Sequence, residues 1–311
     1  NERYDPETDT WVTLKPMPTP RANFAISVYQ NKIYCIGNGP TEVYDIVTDN
    51  WSTKKNIPLN GEDMQAHLVD EKIFVIISGF LYMYDPVTDS WTQKTSLPTS
   101  EDYYTGYSAV IDNQIIAINH GDANLRIYDP KTDMWSEEKT TKGYDGSFGV
   151  AVAVATSGRF APQKIYVLSG GSSIFFHPTG FVMSYNPLSG TWEQVKKDPT
   201  PRAKVGVAVL DDVLYVIGGL QLVGTDGQKE TTSVNEQYIP IDYQDTLPPV
   251  TSPTTTPTQS NSHTTSEPEQ STSLTTHIIV ATVVLTVGII GITYFFYSKK
   301  EKNRTTGDYP F

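Results

Sequence analysis

A single cysteine, Cys35, occurs among 311 residues. One thiol cannot make an intrachain disulfide, a thiolate zinc site or an iron–sulfur cluster. Cys35 lies in the apolar run Ile33-Tyr34-Cys35-Ile36, where a buried, inert thiol is expected rather than a nucleophile. Positive charge is scarce as well: 23 Lys and Arg against 35 Asp and Glu leave a net charge of −12. A chain so acidic lacks the clustered cations that displace counterions from a phosphate backbone, so no nucleic-acid partner is expected. Also missing are a Gly-x-Ser-x-Gly elbow, a phosphate-cradling glycine loop before a helix, an HExxH pair and an EF-hand loop. The first residue is Asn1, in mid-repeat, with neither methionine nor signal peptide; an upstream segment is expected to be missing or removed.

What is present is a repeat. Tyr4-Asp5-Pro6-Glu7-Thr8-Asp9-Thr10-Trp11 returns from Tyr44 to Trp51, from Tyr84 to Trp91 and from Tyr128 to Trp135, then drifts between Tyr185 and Trp192. Every tryptophan closes one copy, at spacings of 40, 40, 44 and 57 residues. A period in this range marks a propeller or a solenoid. Within a unit, short apolar runs alternate with turn residues and no helical period intervenes. Phe24–Val28, Ile33–Gly37, Glu42–Tyr44 and Trp51–Lys54 read as four strands of one sheet. Such a sheet has two apolar faces, and radial stacking of copies buries both. The fold class predicted is all-β, a β-propeller over residues 1–245.

The second strands end in glycine or small polar residues, including Gly170-Gly171 and Gly218-Gly219, where the chain turns with positive φ. An apolar strand ending in Gly-Gly, then a spaced Tyr and a Trp, resembles the kelch repeat, across roughly residues 1–243. That resemblance implies four-stranded blades, with the tyrosines and tryptophans as blade packing. The glycine pair is absent from the first three units, where the sequence departs from the family pattern. Units starting near Thr19, Leu59, Thr99, Thr141 and Thr200 give five blades, six or more if the native chain starts earlier. The fifth lacks an outer strand, and Trp11–Lys15 is an outer strand without a blade. Joining the two is expected to close the ring, as kelch propellers close by pairing chain ends. Insertions fall at Thr156–Gln163, Ser172–Gly180 and Gln221–Thr232.

After Asp245 the composition changes. Residues 246–276 are mostly Ser, Thr and Pro, which cannot form a core and read as an extended disordered stalk, O-glycosylated or a plain linker. Residues 277–298 contain the charge-free run Ile278–Tyr297, which matches the roughly 20 apolar residues of a membrane-spanning helix. Tyr294, Phe295, Phe296 and Tyr297 form an aromatic belt, and Lys299, Lys300, Lys302 and Arg304 follow in the short basic tail 299–311. The positive-inside rule then predicts a single-pass protein of the cell membrane, propeller outside and C-terminus in the cytoplasm. Propeller, stalk, one helix and a basic tail together are similar to membrane-anchored kelch proteins of archaeal cell surfaces, a resemblance of composition rather than motif.

Few residues suggest chemistry. The paired aspartates of each motif copy, such as Asp45 and Asp49, suit a turn in which Asp and Thr side chains bond nearby backbone N–H groups. Asn50-Trp51-Ser52 matches the N-glycosylation pattern, with a packed Trp51 in its middle. His120 and His177 both follow second strands. A galactose-oxidase-like metal oxidase, which shares the kelch-type propeller, would need two such histidines, and its cross-linked thiol would have to be Cys35. Variation between copies is the better signal. The first strands open with Arg21, Gly61, Tyr103, Asp145 and Arg202, and in kelch propellers these positions surround the channel mouth. Arg and Tyr are enriched at interface hot spots, whereas Arg21 and Arg202 could equally pair with neighbouring acids.

The expectation is therefore a non-catalytic, membrane-anchored binding module without cofactor or metal. Arg21, Tyr103, Asp145, Arg202, His120 and His177 are its candidate ligand residues, for a protein or glycan ligand. The alternatives are the metal oxidase and a ubiquitin-ligase substrate adaptor, the latter opposed by the apolar helix and the Lys/Arg asymmetry.

Overall fold

The structure, a computed structural model, describes residues 1–61, 64–98, 107–118, 124–138, 152–168, 180–195, 200–223, 228–244, 282–287 and 290–296. The chain opens with β1 (Glu2–Asp5) and β2 (Thr10–Thr13). The first blade is β3 (Ala25–Tyr29), β4 (Lys32–Ile36), β5 (Thr41–Asp45) and β6 (Asn50–Lys54). The second is β7 (Gln65–Val69), β8 (Lys72–Ile77), β9 (Phe80–Asp85) and β10 (Ser90–Lys94). The third is β11 (Tyr107–Ile111), β12 (Gln114–Ile118), β13 (Leu125–Asp129) and β14 (Met134–Glu138). The fourth is β15 (Val152–Ala155), β16 (Ile165–Leu168), β17 (Val182–Asn186) and β18 (Thr191–Gln194). The fifth is β19 (Gly206–Leu210), β20 (Val213–Ile217) and β23 (Asn235–Tyr238), interrupted by the hairpin β21 (Leu220–Val223) and β22 (Gln228–Thr231). Strands β24 (Thr282–Val287) and β25 (Ile290–Phe296) come last. The result is an all-β, five-blade propeller.

Local chemistry explains the blades. The first-to-second strand turns carry consecutive residues with positive φ: Asp70 and Glu71, Asp112 and Asn113, Asp211 and Asp212. That pair is the signature of the type I′ turn, whose twist matches the flanking strands. At the far end of the second strand the chain again needs the left-handed region. Gly219, at φ +100, has no room for a Cβ, which would lie 2.8 Å from the Ala203 carbonyl oxygen. In the second blade Ser78 (φ 48) and Gly79 (φ 81) make the same turn, so a blade can lose one glycine of the pair and keep the geometry.

The cores lie between blades. Ala25, Tyr29 and Tyr34 of the first blade pack against Ile73, Val75 and Ile77 of the second. Equivalent clusters join the second to the third, the third to the fourth and the fourth to the fifth. Tyr4 packs with Ala208, Leu210, Tyr215 and Ile217 of the fifth. No single sheet could bury these side chains, so the stacking is the source of stability.

One expectation is corrected. β2 does not complete the fifth blade: it pairs with β1 in a sheet of its own, ordered β2-β1-β25-β24, whose β24 lies against β19 and β3. Tyr4 explains this, because its core partners fix β1 beside the fifth blade as a separate third strand rather than as an added fourth. Part of the run expected as a membrane helix is described as the antiparallel hairpin of β24 and β25, with β25 parallel to β1. The two inner positions beside β1 have no other strand in the described chain, and an apolar hairpin satisfies the free edge of β1. Within the five blades every neighbouring pair is antiparallel. The parallel pairing therefore does not reproduce a blade. Among the described residues no helix is long and apolar enough to cross a membrane.

Candidate functional site

The repeated motif is structural, and its two aspartates do different work. In each copy Tyr stands opposite Trp across the third and fourth strands, with ring centroids 4.8 to 5.2 Å apart. The first aspartate is local. Asp45 accepts the N–H groups of Val47 and Thr48, each at 3.0 Å, as an Asx turn should. The second aspartate reaches the preceding unit. Asp49 accepts both the Tyr44 hydroxyl at 2.6 Å and the Lys15 N–H at 3.1 Å, while Trp51 Nε1 donates to the Lys15 carbonyl at 3.0 Å. Asp89 and Trp91 capture Lys55 in the same way, and Asp133 and Trp135 capture Thr95. The fifth copy has Gly190 where the others have aspartate. Repetition alone marked this motif as architectural, but only the structure reveals a latch between units.

Arg21 and Arg202 are buried within their own blades. Arg21 pairs with Glu42 at 3.0 Å, the two side chains being 3% and 5% exposed. Its Nη1 donates to the carbonyls of Gly37 and Pro40, and its Nη2 also to that of Cys35. Arg202, fully buried, pairs with Glu236 at 2.5 Å and donates to the carbonyls of Thr200, Val216, Gly218 and Val234. Thr19 and Thr200 bond the same two glutamates. Of the two roles the sequence allowed these arginines, the described geometry displays the pairing with acids. It holds the glycine turn after the second strand against the third strand.

The other candidates, Tyr103, Asp145, His120 and His177, lie outside the described residues, as do Gly170 and Gly171. Antiparallel alternation puts all first-to-second turns at one end, and second-to-third loops together with blade-to-blade connections at the other. Arg21 and Arg202 belong to the second set, at its base rather than at its surface.

One polar cluster went unread in the sequence. His67 on β7 meets Ser108 on β11 of the next blade, Nε2 to Oγ at 2.6 Å, and the Ser108 hydroxyl donates to Gln65 Oε1 at 2.5 Å. With the Ser108 proton donated to Gln65, His67 is the donor to Ser108 from Nε2. Positions matching His67 carry Ser27, Ala109, Val154 and Ala208. The signal was available: one histidine in a column of small and apolar residues.

Desolvation pushes the His67 pKa down from 6.5 to about 4. A histidine with a depressed folded-state pKa stabilises above its unfolded pKa, and that stability is lost as the pH falls from 6.5 toward 4. The wild type should lose about 2 kcal/mol from this group between pH 7.5 and 4.5, after a discount for its partial exposure. Urea unfolding at the two pH values, in wild type and His67→Gln, measures it. An equal acid loss in the variant refutes the assignment.

Cys35 is fully buried, and burial pushes its thiol up to about 12. It is a protonated thiol inside the first blade. Among the described residues no group of three or more His, Cys, Asp or Glu could hold a metal ion.

No family model matches the chain, and no curated protein matches it. Solved structures do: 498 chains match, a fold so widely shared that it carries no activity by itself. One of them, "Structure of YjhT", superposes with a TM-score of 0.60 over 72% of this chain and 84% of that one, at 14% identity. At that identity the likeness shows the propeller fold alone.

Proposed function

We propose that this is a kelch-type propeller acting as a non-catalytic binding module at the cell surface, tethered by residues 277–298 as a membrane helix. The observation that carries the tether is Ile278–Tyr297, a run without charge, flanked by a Ser/Thr/Pro stalk and by Lys299, Lys300, Lys302 and Arg304. In a bilayer a helix satisfies every backbone N–H and C=O internally, which an isolated hairpin with two free edges does not.

The ligand, a protein or glycan, docks on the end of the channel built by the second-to-third loops and the blade-to-blade connections. Support comes from the contrast between repeated and variable positions. Motif residues and turns repeat from blade to blade, whereas Tyr103, Asp145, His120 and His177 differ from their counterparts in the sequence. Loops on a rigid scaffold are where recognition concentrates.

Protease treatment of intact cells expressing the full chain tests the topology. The expected result is loss of the propeller with retention of a small membrane-bound C-terminal fragment. A propeller that survives outside protease, and is cut only after permeabilisation, overturns it.

A further inference from the structure

The insertion between β15 and β16, unexplained by the repeat, is built around one carboxylate. Asp212, in the type I′ turn of the fifth blade, is 2% exposed. Its Oδ1 accepts the Ser157 N–H at 2.5 Å, and its Oδ2 accepts those of Arg159, Phe160 and Ala161 at 2.9, 2.7 and 3.1 Å. Four donors on one carboxylate fix the loop as rigidly as a strand would. Outside this loop Arg159 reaches Asp211 at 3.9 Å and lies over the Phe160 ring.

The loop so fixed grips the chain where it leaves the propeller. The Phe160 ring stacks on Tyr243 with centroids 6.1 Å apart and planes 23° from parallel, and the Gln244 N–H donates to the Phe160 carbonyl at 2.7 Å. Pro240 accepts from the Tyr243 N–H, which turns the exit segment back toward the fourth blade. β23 runs, as a third strand, toward the first-to-second turn end of the channel, and the clamp lies at that same end.

We infer that the 156–163 insertion is an exit clamp: docked on Asp212, it holds residues 240–244 so that the stalk departs from the first-to-second turn end. The opposite end, where the ligand loops gather, is thereby left clear of the tether. The consequence for ligand access rests on the proposed membrane anchoring. The clamp itself does not, and its test needs no bilayer.

The test is hydrogen–deuterium exchange on the full chain in detergent micelles, in wild type, Phe160→Ala and Asp212→Asn. Phe160 is a partly exposed loop residue, so its truncation should leave the blades folded. The wild type should protect the amides of 241–244. Phe160→Ala should speed their exchange by about tenfold or more while β19 and β20 keep their protection. Asp212→Asn should release 157–161 and 241–244 together. Unchanged exchange at 241–244 in Phe160→Ala, or fast exchange there already in wild type, overturns the clamp. So does loss of protection across β19 and β20 in Phe160→Ala, which would make Phe160 a core residue. A failed shaving experiment with an intact exchange result would remove the membrane reading and leave the clamp standing.

Discussion

Arg202→Met should destabilise the propeller by about 3–5 kcal/mol, the range for breaking a buried, hydrogen-bonded ion pair from one side. Three observations set the size. The side chain is fully buried, its guanidinium donates to four carbonyls, and its Nη2 pairs with Glu236. Methionine fills much of the volume, which separates the lost polar contacts from a cavity. The carbonyls of Val216, Gly218 and Val234 would each lose a donor, and the Glu236 carboxylate would lose its cation. Glu236→Gln should cost less, because the amide oxygen still accepts from Arg202 and the glutamate side chain is 22% exposed. Denaturant unfolding of both variants and of the double mutant gives the coupling energy directly. Ligand binding by variants that remain folded should be unaltered. A stable Arg202→Met protein with weakened binding would return Arg202 to the ligand face.

The same pair exists at Arg21 and Glu42, which bears on what the sequence could reveal. Blade architecture was legible because its determinants are local and repeated. Turn aspartates, apolar runs and the opposed Tyr and Trp each act within a few residues, and five copies average out the exceptions. Arg21 and Arg202 were legible only as two options. A Pro-Thr-Pro-Arg opening does not tell a buried guanidinium from one that faces a channel, and the deciding partner is 21 residues away in one blade and 34 in the other. The inter-unit contacts of Asp49, Asp89 and Asp133 were illegible for the same reason: their partners sit 34 to 38 residues upstream, in the preceding unit. His67 could have been found by comparing columns rather than seeking metal-ligand spacing. The role of the 156–163 insertion depends on Asp212, some fifty residues away, and no spacing rule connects them.

Asp89→Ala is expected to destabilise by about 2–3 kcal/mol, and the loss should fall between blades rather than within one. The carboxylate serves two donors at once: the hydroxyl of Tyr84, a fully buried ring, at 2.6 Å, and the Lys55 N–H at 2.9 Å. Alanine leaves the buried hydroxyl and the backbone N–H without that acceptor, and each unpaired group costs its desolvation. Trp91 Nε1 still holds the Lys55 carbonyl at 2.8 Å, so the latch is halved, not abolished. Tyr84→Phe removes only the hydroxyl and leaves Asp89 on Lys55, for about 1 kcal/mol. The ordering of the two variants is the discriminating result, because a purely local turn would make Asp89→Ala no worse than Tyr84→Phe. The pH dependence follows from the same bonds. Desolvation raises the Asp89 pKa, but the Tyr84 hydroxyl and the Lys55 N–H outweigh it, and the net shift is downward. A depressed aspartate stabilises above its unfolded pKa of about 3.9 and loses that contribution as the pH falls below it. Asp133 is shifted in the same direction, its desolvation outweighed by the Thr95 N–H and the Tyr128 hydroxyl. Acid should therefore loosen the seams at Asp89, Asp133 and His67 before it melts the blades. Hydrogen exchange at about pH 3, below the unfolded aspartate pKa, should show Lys55 and Thr95 opening ahead of β8 and β12, and simultaneous opening would mean that the seams carry no separate stability.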